Sequence, residues 1–337
     1  MARWARGLAV VAVVAWLVAG CDSGGAAQDE LQAVDNPKAA KPARSPAAKN
    51  PDGSVFGLPG NASSVLADPR SRTLAVALDK PTSVLLYPLD RLDARPRTVP
   101  LPGRAESLNL AGPGGPVLAS VGSAHKVVRI DLPNGQASQV PVGGTATFAT
   151  RQGSRTLVAL RDRRGVQVLD GARPLRTISG GLYSADQVFA LGSWALVLDR
   201  LRNALFELDV PGGEVGNGQR TGDGAGHATL DRYGRVLVTD TRGDSLLAFS
   251  TDPLLMRQRY PVPGSPYGIA YDQRRDLAWI TLTARNEVVG FDVAGGEPKE
   301  RYRFSTLRQP NAVTVDTLTG RVIVVSATGD GIQVVQP

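Results

Sequence analysis

Few residues in this chain could carry bond-making or bond-breaking chemistry. There are two histidines, His125 and His227, and one cysteine, Cys21. Clustered imidazoles and thiolates for zinc, iron or copper are therefore absent from the sequence, and no intramolecular disulfide can form. No EF-hand-like spacing of aspartates occurs either, so no cofactor is expected. Ser123-Ala124-His125-Lys126 has a Ser-x-x-Lys spacing, which activates a serine only where lysine sits one helical turn away; here it falls between two strand-like runs. Arg242-Gly243-Asp244 has the composition of a turn. The glycine-rich run 212–226 lacks Gly-Lys-Ser/Thr and opens no helix, so it reads as a long flexible loop rather than a phosphate cradle. What remains is His227 with a carboxylate such as Glu106 or Asp240 for proton transfer, and basic groups such as Arg200 that could grip an anion.

Cys21 has a different context. Arg3 and Arg6 precede an uninterrupted apolar run over residues 8–19, which Gly20-Cys21 follows. The run is shorter than the roughly 20 apolar residues of a spanning helix and reads as an export signal. Leu17-Val18-Ala19-Gly20-Cys21 resembles the lipobox of bacterial lipoproteins. That resemblance implies a signal peptide over residues 1–20, diacylglycerol on the Cys21 thiol, and a lipid-anchored protein on the extracytoplasmic face of the cell membrane. Two or more acyl chains anchor durably where one holds only marginally.

Residues 21–52 are rich in Ala, Pro, Lys, Ser, Gly and Asp, and Leu31 and Val34 are their only large apolar residues. Such a segment buries too little surface to offset its ordering entropy, so a disordered, lipidated tether is expected there. The net charge of the chain is +7, with aromatics at 5%. The basic residues are scattered and stacking platforms are scarce, which argues against nucleic acid as a partner. A modest positive charge suits anionic headgroups or acidic wall polymers.

The elements that would position any site come from a repeat. Short apolar runs end at Asp68, Ala111, Arg151, Leu191, Asp231, Asp272 and Asp316, spaced 40 to 44 residues apart. Each begins a unit with a second apolar run, a polar turn and a third run, as in Leu74-Ala75-Val76-Ala77 then Val84-Leu85-Leu86-Tyr87, or Val322-Ile323-Val324-Val325 then Ile332-Gln333-Val334-Val335. Continuous apolar runs fit strands buried on both faces. A fourth, more polar run closes each unit and often carries proline, as in Tyr260-Pro261-Val262-Pro263-Gly264, which an outer edge strand tolerates. The seventh unit lacks that run, whereas Ser54-Val55-Phe56-Gly57-Leu58-Pro59-Gly60 has its pattern and precedes the first. The fold expected is all-β: one seven-bladed β-propeller over residues 53–337, closed by its N-terminal strand so that no sheet edge is left open.

The units resemble seven-bladed propellers of the YVTN-repeat type and, more loosely, WD-repeat and NHL propellers. The resemblance is carried by an apolar strand ending in Asp, then Arg-x-Leu-Ala-Val-Ala or Arg-Val-Ile-Val-Val, a polar turn, and a strand ending in Phe-Asp or Ile-Asp. Val238-Thr239-Asp240 comes nearest to the signature itself. A fold so widely reused leaves function to its site.

In a propeller the turns entering the innermost strands converge on one mouth of the central channel, joined by the turns between second and third strands. The first set supplies Asn61, Glu106, Thr145, Ser184, His227, Tyr267 and Asn311; the second supplies Lys80, Lys126, Arg163, Arg164, Arg200, Asp240, Arg242 and Arg285. Glu106, Arg200, His227, Asp240, Tyr267 and Asn311 are the candidate ligand-binding residues, on a polar rim with a basic excess. The expected function is a non-catalytic binding or scaffold module for an envelope protein or an anionic cell-surface ligand. The alternative is a hydrolase, lactonase or lyase with its site at the channel mouth, which requires His227 and a carboxylate to share one pocket.

Overall fold

Alternation of short apolar runs with Gly- and Asp-containing turns produces seven four-stranded antiparallel sheets. A computed structural model describes residues 36–337, together with Met1 and Leu31. The apolar leader and Cys21 lie outside the described residues. Blades one to six span 62–100, 107–141, 146–179, 187–220, 225–261 and 266–305, and blade seven spans 310–335. Its fourth strand is Ser54–Phe56, with Ser54 opposite Val334 and Phe56 opposite Ile332. The ring is a closed seven-bladed β-propeller, as the sequence predicts.

Burial follows strand position. Second strands such as Thr73–Leu78 and Leu277–Leu282 are buried at every residue, whereas outer strands such as Arg173–Ser179 and Lys299–Ser305 are almost wholly exposed. The apolar residues gather in clusters between neighbouring blades; one joins Leu74 and Val76 of blade one to Ile323 and Ile332 of blade seven across the closure. Each fully buried Leu or Ile contributes roughly 1.5–3 kcal/mol. Inner strands are also stitched side chain to backbone: Ser107 Oγ donates to Thr147 O (2.8 Å), Thr147 Oγ1 to Ala185 O (2.8 Å), and Ala228 N to Gln187 Oε1 (2.8 Å). Among the described residues, all strands and clusters lie from Leu31 onward, so a chain beginning at residue 22 contains the entire described ring and strap.

Two segments differ from expectation. The glycine-rich run is not a long loop: Glu214–Arg220 is the outer strand of blade four and pairs with Ala204–Asp209. Its glycines serve close packing, because a Cβ at Gly218 would meet the Phe206 ring at 2.5 Å. The second is the described part of the tether, 36–52. It contains no helix or strand, as its composition predicts, yet it lies as a strap across the turns of blades four to seven. Ala43 N donates to Thr283 Oγ1 (3.0 Å), Ser45 N to Gln309 Oε1 (3.1 Å) and Ser45 Oγ to Thr283 O (2.6 Å). Gln309 Nε2 donates to Ala43 O (2.8 Å), Asn286 Nδ2 to Pro46 O (3.0 Å), and the guanidiniums of Arg200 and Arg242 to the carbonyls of Ala40 and Lys38. Apart from the Ser45 hydroxyl, the grip falls on backbone groups, which every sequence carries, and the prolines leave less chain entropy to lose. Apolar content therefore gives no warning of it.

Candidate functional site

The inner strands of the seven blades surround a central channel of about 800 Å³. Five of the six candidate residues line it: Glu106, Arg200, His227, Tyr267 and Asn311. The repeat explains this, since four of them stand at or beside the start of an inner strand and Arg200 begins the turn after a second strand.

Asp240 is the exception. It is completely buried, its carboxylate accepts from the backbone N–H groups of Asp223 (3.1 Å), Gly224 (2.8 Å) and Gly243 (3.0 Å), and it is not among the channel-lining residues. Its role is to close a turn, the usual use of a short carboxylate there, and it faces no ligand. Asn61, Thr145 and Ser184 of the first set and Lys80, Lys126, Arg163, Arg164, Arg242 and Arg285 of the second likewise do not line the channel.

Three side chains complete the mouth that were not among the candidates: Arg104, Arg161 and Asp186. Together with the candidates they form an arc of alternating charge. Arg104 Nε donates to Asp79 Oδ1 (2.7 Å), and its NH1 lies 3.7 Å from Glu106 Oε1. Arg161 NH1 lies 3.7 Å from Glu106 Oε2, and its Nε donates to Asp186 Oδ1 at 3.0 Å. Asp186 Oδ2 accepts from Arg200 N (3.0 Å) and Ser184 Oγ (2.6 Å). Repeat register carries the missed signal: Asp186 precedes its inner strand as Glu106 does, and Arg161 follows its second strand as Arg200 does. The basic excess expected of the rim persists in the channel lining, where Arg104, Arg151, Arg161 and Arg200 stand against Asp68, Glu106 and Asp186, and the Arg200 guanidinium bonds only carbonyls.

The arc ends at an aromatic pair. Arg200 donates from Nε to Ala225 O (3.1 Å) and lies 5.9 Å from the Tyr267 ring centroid, close enough for a cation–π attraction. Tyr267 and His227 meet edge to face, with centroids 4.6 Å apart. Their backbones are fixed by Thr239, whose Oγ1 donates to Tyr267 O (2.8 Å) and accepts from His227 N (3.0 Å). Gly226 permits this approach, since a Cβ there would stand 2.6 Å from Thr241 Oγ1. Burial, reinforced by the positive charge of Arg200, pushes the His227 imidazole down to about 3, and its Nδ1 is buried with no hydrogen-bond partner. At neutral pH it is an uncharged ring with one unused polar atom. In the next blade, Asn311 Oδ1 accepts from Gln309 Nε2 (3.0 Å), the amide that also holds the strap.

His227 and Asp186 line one channel, so a histidine and a carboxylate do share a pocket. The imidazole nevertheless makes no hydrogen bond or ion pair with a carboxylate among the described residues. The mouth offers hydrogen-bonding groups, an aromatic edge and a charge network that is paired at Arg104 and Arg161 and unpaired at Arg200, which can bind polar or mixed ligands.

No family model matches the chain, and no curated protein is similar to it in sequence. Many solved structures share its fold. Hydrazine synthase from Kuenenia stuttgartiensis is 14% identical with a TM-score of 0.70, the match covering 86% of this chain and 99% of that one. Virginiamycin B lyase from Staphylococcus aureus is 12% identical with a TM-score of 0.69, over 84% and 99%. The Swd1 β-propeller domain from Myceliophteria thermophila is 12% identical with a TM-score of 0.70, over 84% and 99%. At such identities the likeness is one of fold alone.

Proposed function

We propose that this protein is a membrane-anchored extracytoplasmic lipoprotein of the YVTN-repeat propeller type, whose channel mouth is a non-catalytic binding or scaffold site for an envelope protein or anionic ligand. The observation that carries the reading is the pairing at the mouth. Arg104, Arg161 and the backbone of Arg200 are tied to Asp79, Glu106 and Asp186, and His227 has no hydrogen-bonded base or acid beside it. Such pre-paired, half-buried groups give orientation and specificity to a bound surface, whereas a catalytic acid or base needs a free partner within hydrogen-bond reach.

The anchor is supported by the lipobox-like stretch ending at Cys21. Mass spectrometry of membrane-extracted protein tests it: an acylated N-terminal Cys21 peptide is expected, absent from Cys21→Ala. An unacylated mature form would remove the anchor from the proposal. The binding role is tested by capture from envelope extracts, where a partner held at micromolar concentration and released by Glu106→Lys is expected. Failure to retain any partner would count against it.

A second reading, a hydrolase, lactonase or lyase, is favoured by one observation: the neutral His227 shares the channel with Asp186. Turnover of a small ligand by the wild type, lost in His227→Gln, would move the protein to that class.

A further inference from the structure

We propose that the strap and the turns beneath it form a docking surface for an anionic lipid bilayer, so that the ring sits on the membrane by the mouth that Glu106 and His227 line. This rests on the lipoprotein reading only for bringing the protein to a membrane.

The strap carries Lys38, Lys41, Arg44 and Lys49, all exposed, while Ala40 and Ser45 between them are buried against the ring. Pro37, Pro42 and Pro46 favour an extended polyproline-type chain, which has three residues per turn. The three-residue spacing of Lys38, Lys41 and Arg44 then sets their charges along one outward ridge. Among the described residues none of the four cations forms an ion pair.

The surface beneath repeats the pattern. Among the described residues, Arg200, Arg202, Arg242 and Arg285 also have no carboxylate partner. Arg202 Nε donates to Leu31 O at 3.1 Å, while Arg200 and Arg242 bond the carbonyls of Ala40 and Lys38. Carbonyls satisfy the N–H groups without cancelling the charge. Of the acids on this side, Glu287 pairs with Arg303 and Asp223 lies 3.8 Å from both Arg220 and Arg259, while Asp52 and Asp244 accept from Ser305 N (2.7 Å) and Ser265 N (2.8 Å) and keep their charge. Among the described residues, eight cations without an ion-pair partner therefore share one face with fewer such acids. Tyr183 joins them, 41% exposed with Arg202 stacked 5.1 Å from its ring centroid, and an exposed tyrosine suits the headgroup layer.

Three features favour a bilayer over a shaped ligand. The cations are spread along the strap and several turns instead of converging in a pocket. They have an interfacial aromatic beside them. The chain reaches this face from its N-terminal side at Leu31, and the stretch from Cys21 to Leu31 can extend no further than roughly 35 Å. An acyl anchor at Cys21 therefore holds this mouth, not the opposite one, near the bilayer. Each basic residue close to an anionic surface strengthens binding roughly fivefold.

The test uses the chain from residue 22 onward, which holds the entire ring and strap but no Cys21, with vesicles of phosphatidylcholine alone or mixed with phosphatidylglycerol. Co-sedimentation is expected only with the mixed vesicles and is lost at about 0.5 M salt, where screening is strong. Replacing Lys38, Lys41, Arg44 and Lys49 together by Gln is expected to weaken binding by at least about tenfold. Arg91→Gln with Arg274→Gln, exposed sites at the opposite mouth, is expected to leave it unchanged. Equal partition onto both vesicle types, retained binding by the strap variant, an equal loss in the opposite-mouth variant, or binding to soluble polyphosphate but not to vesicles would each overturn the proposal. Because the tested chain has no Cys21, this result and the acylation result fail independently.

Discussion

The two mouths of the channel are built from the same repeat and use charge in opposite ways. Where the inner strands end, Asp68, Asp231, Asp272 and Asp316 are buried and accept turn N–H groups from Ser71 (2.8 Å), Tyr233 (2.9 Å), Arg274 (3.0 Å) and Leu318 (3.2 Å). Arginines then close on three of these carboxylates: Arg235 on Asp231 (2.6 Å), Arg275 on Asp272 (3.0 Å) and Arg72 on Asp316 (2.8 Å). Exposed Asp93, Asp131, Asp170 and Asp252 are interspersed with exposed Arg91, Arg155, Arg173 and Arg274. Where the inner strands begin, the strap and its neighbouring turns hold cations with no such partners. Charge at the first of these mouths is consumed in making turns and joining blades; at the second it is left over, and what folding does not use is available for binding.

That contrast predicts unequal consequences for mutation. Asp316→Ala should have the largest effect, because it strips Arg72 and Arg321 of a buried partner at the junction of blades one and seven. Burial works against its charge, yet hydrogen bonds from Thr319 and Arg72 outweigh it and hold its carboxyl below the ordinary range. A loss of about 3 kcal/mol is expected in urea unfolding at neutral pH. A loss below about 1 kcal/mol would mean that the distal charges are as dispensable as the strap's.

His227 gives an intermediate effect that depends on pH. Its folded pKa is depressed, so the unfolded state binds the extra proton first and stability falls as pH drops. The loss should reach about 1.4 kcal/mol per pH unit at most between 6.5 and about 3. Asp316, Asp90 and Asp292, held low, give way only below the ordinary carboxylate value of 3.8. Asp199, raised by burial, runs the other way and loses its contribution as pH rises. The difference between parent and His227→Gln therefore isolates the imidazole: the variant's stability should be flatter from pH 6.5 downward, and superimposable curves would place His227 in a solvated rim.

The smallest effect belongs to the strap. Converting its four cations to Gln should shift unfolding by no more than about 0.5 kcal/mol, as for surface positions generally. A larger drop would show that these charges help the ring to fold, and would erase the distinction between the two mouths.

Much of this molecule was legible in its sequence because the relevant signals are local. A strand announces itself within a handful of residues, and recurrence at 40 to 44 residues identified seven blades and the strand that closes them. Glu106, His227, Tyr267 and Asn311 could be placed at the channel because the start of an inner strand is a repeat position. Arg161 and Asp186 occupy equivalent positions and were readable by the same rule. Asp240 was not, since an aspartate ending a second strand can face the channel or cap its own turn, and only packing decides between them.

By itself the sequence determined the propeller, its closure and five residues at the channel, Glu106, Arg200, His227, Tyr267 and Asn311, since periodicity and turn chemistry act over short distances. Only the tertiary structure decided that Arg104 and Arg161 are paired within the charge arc while Arg200 is not, that Asp240 is consumed in a turn, and that residues 36–52 lie across the mouth. These outcomes depend on side chains and carbonyls separated by tens to hundreds of positions along the chain, such as Gln309 and Ala43. Their meeting is fixed when the ring closes, and local pattern does not encode that geometry.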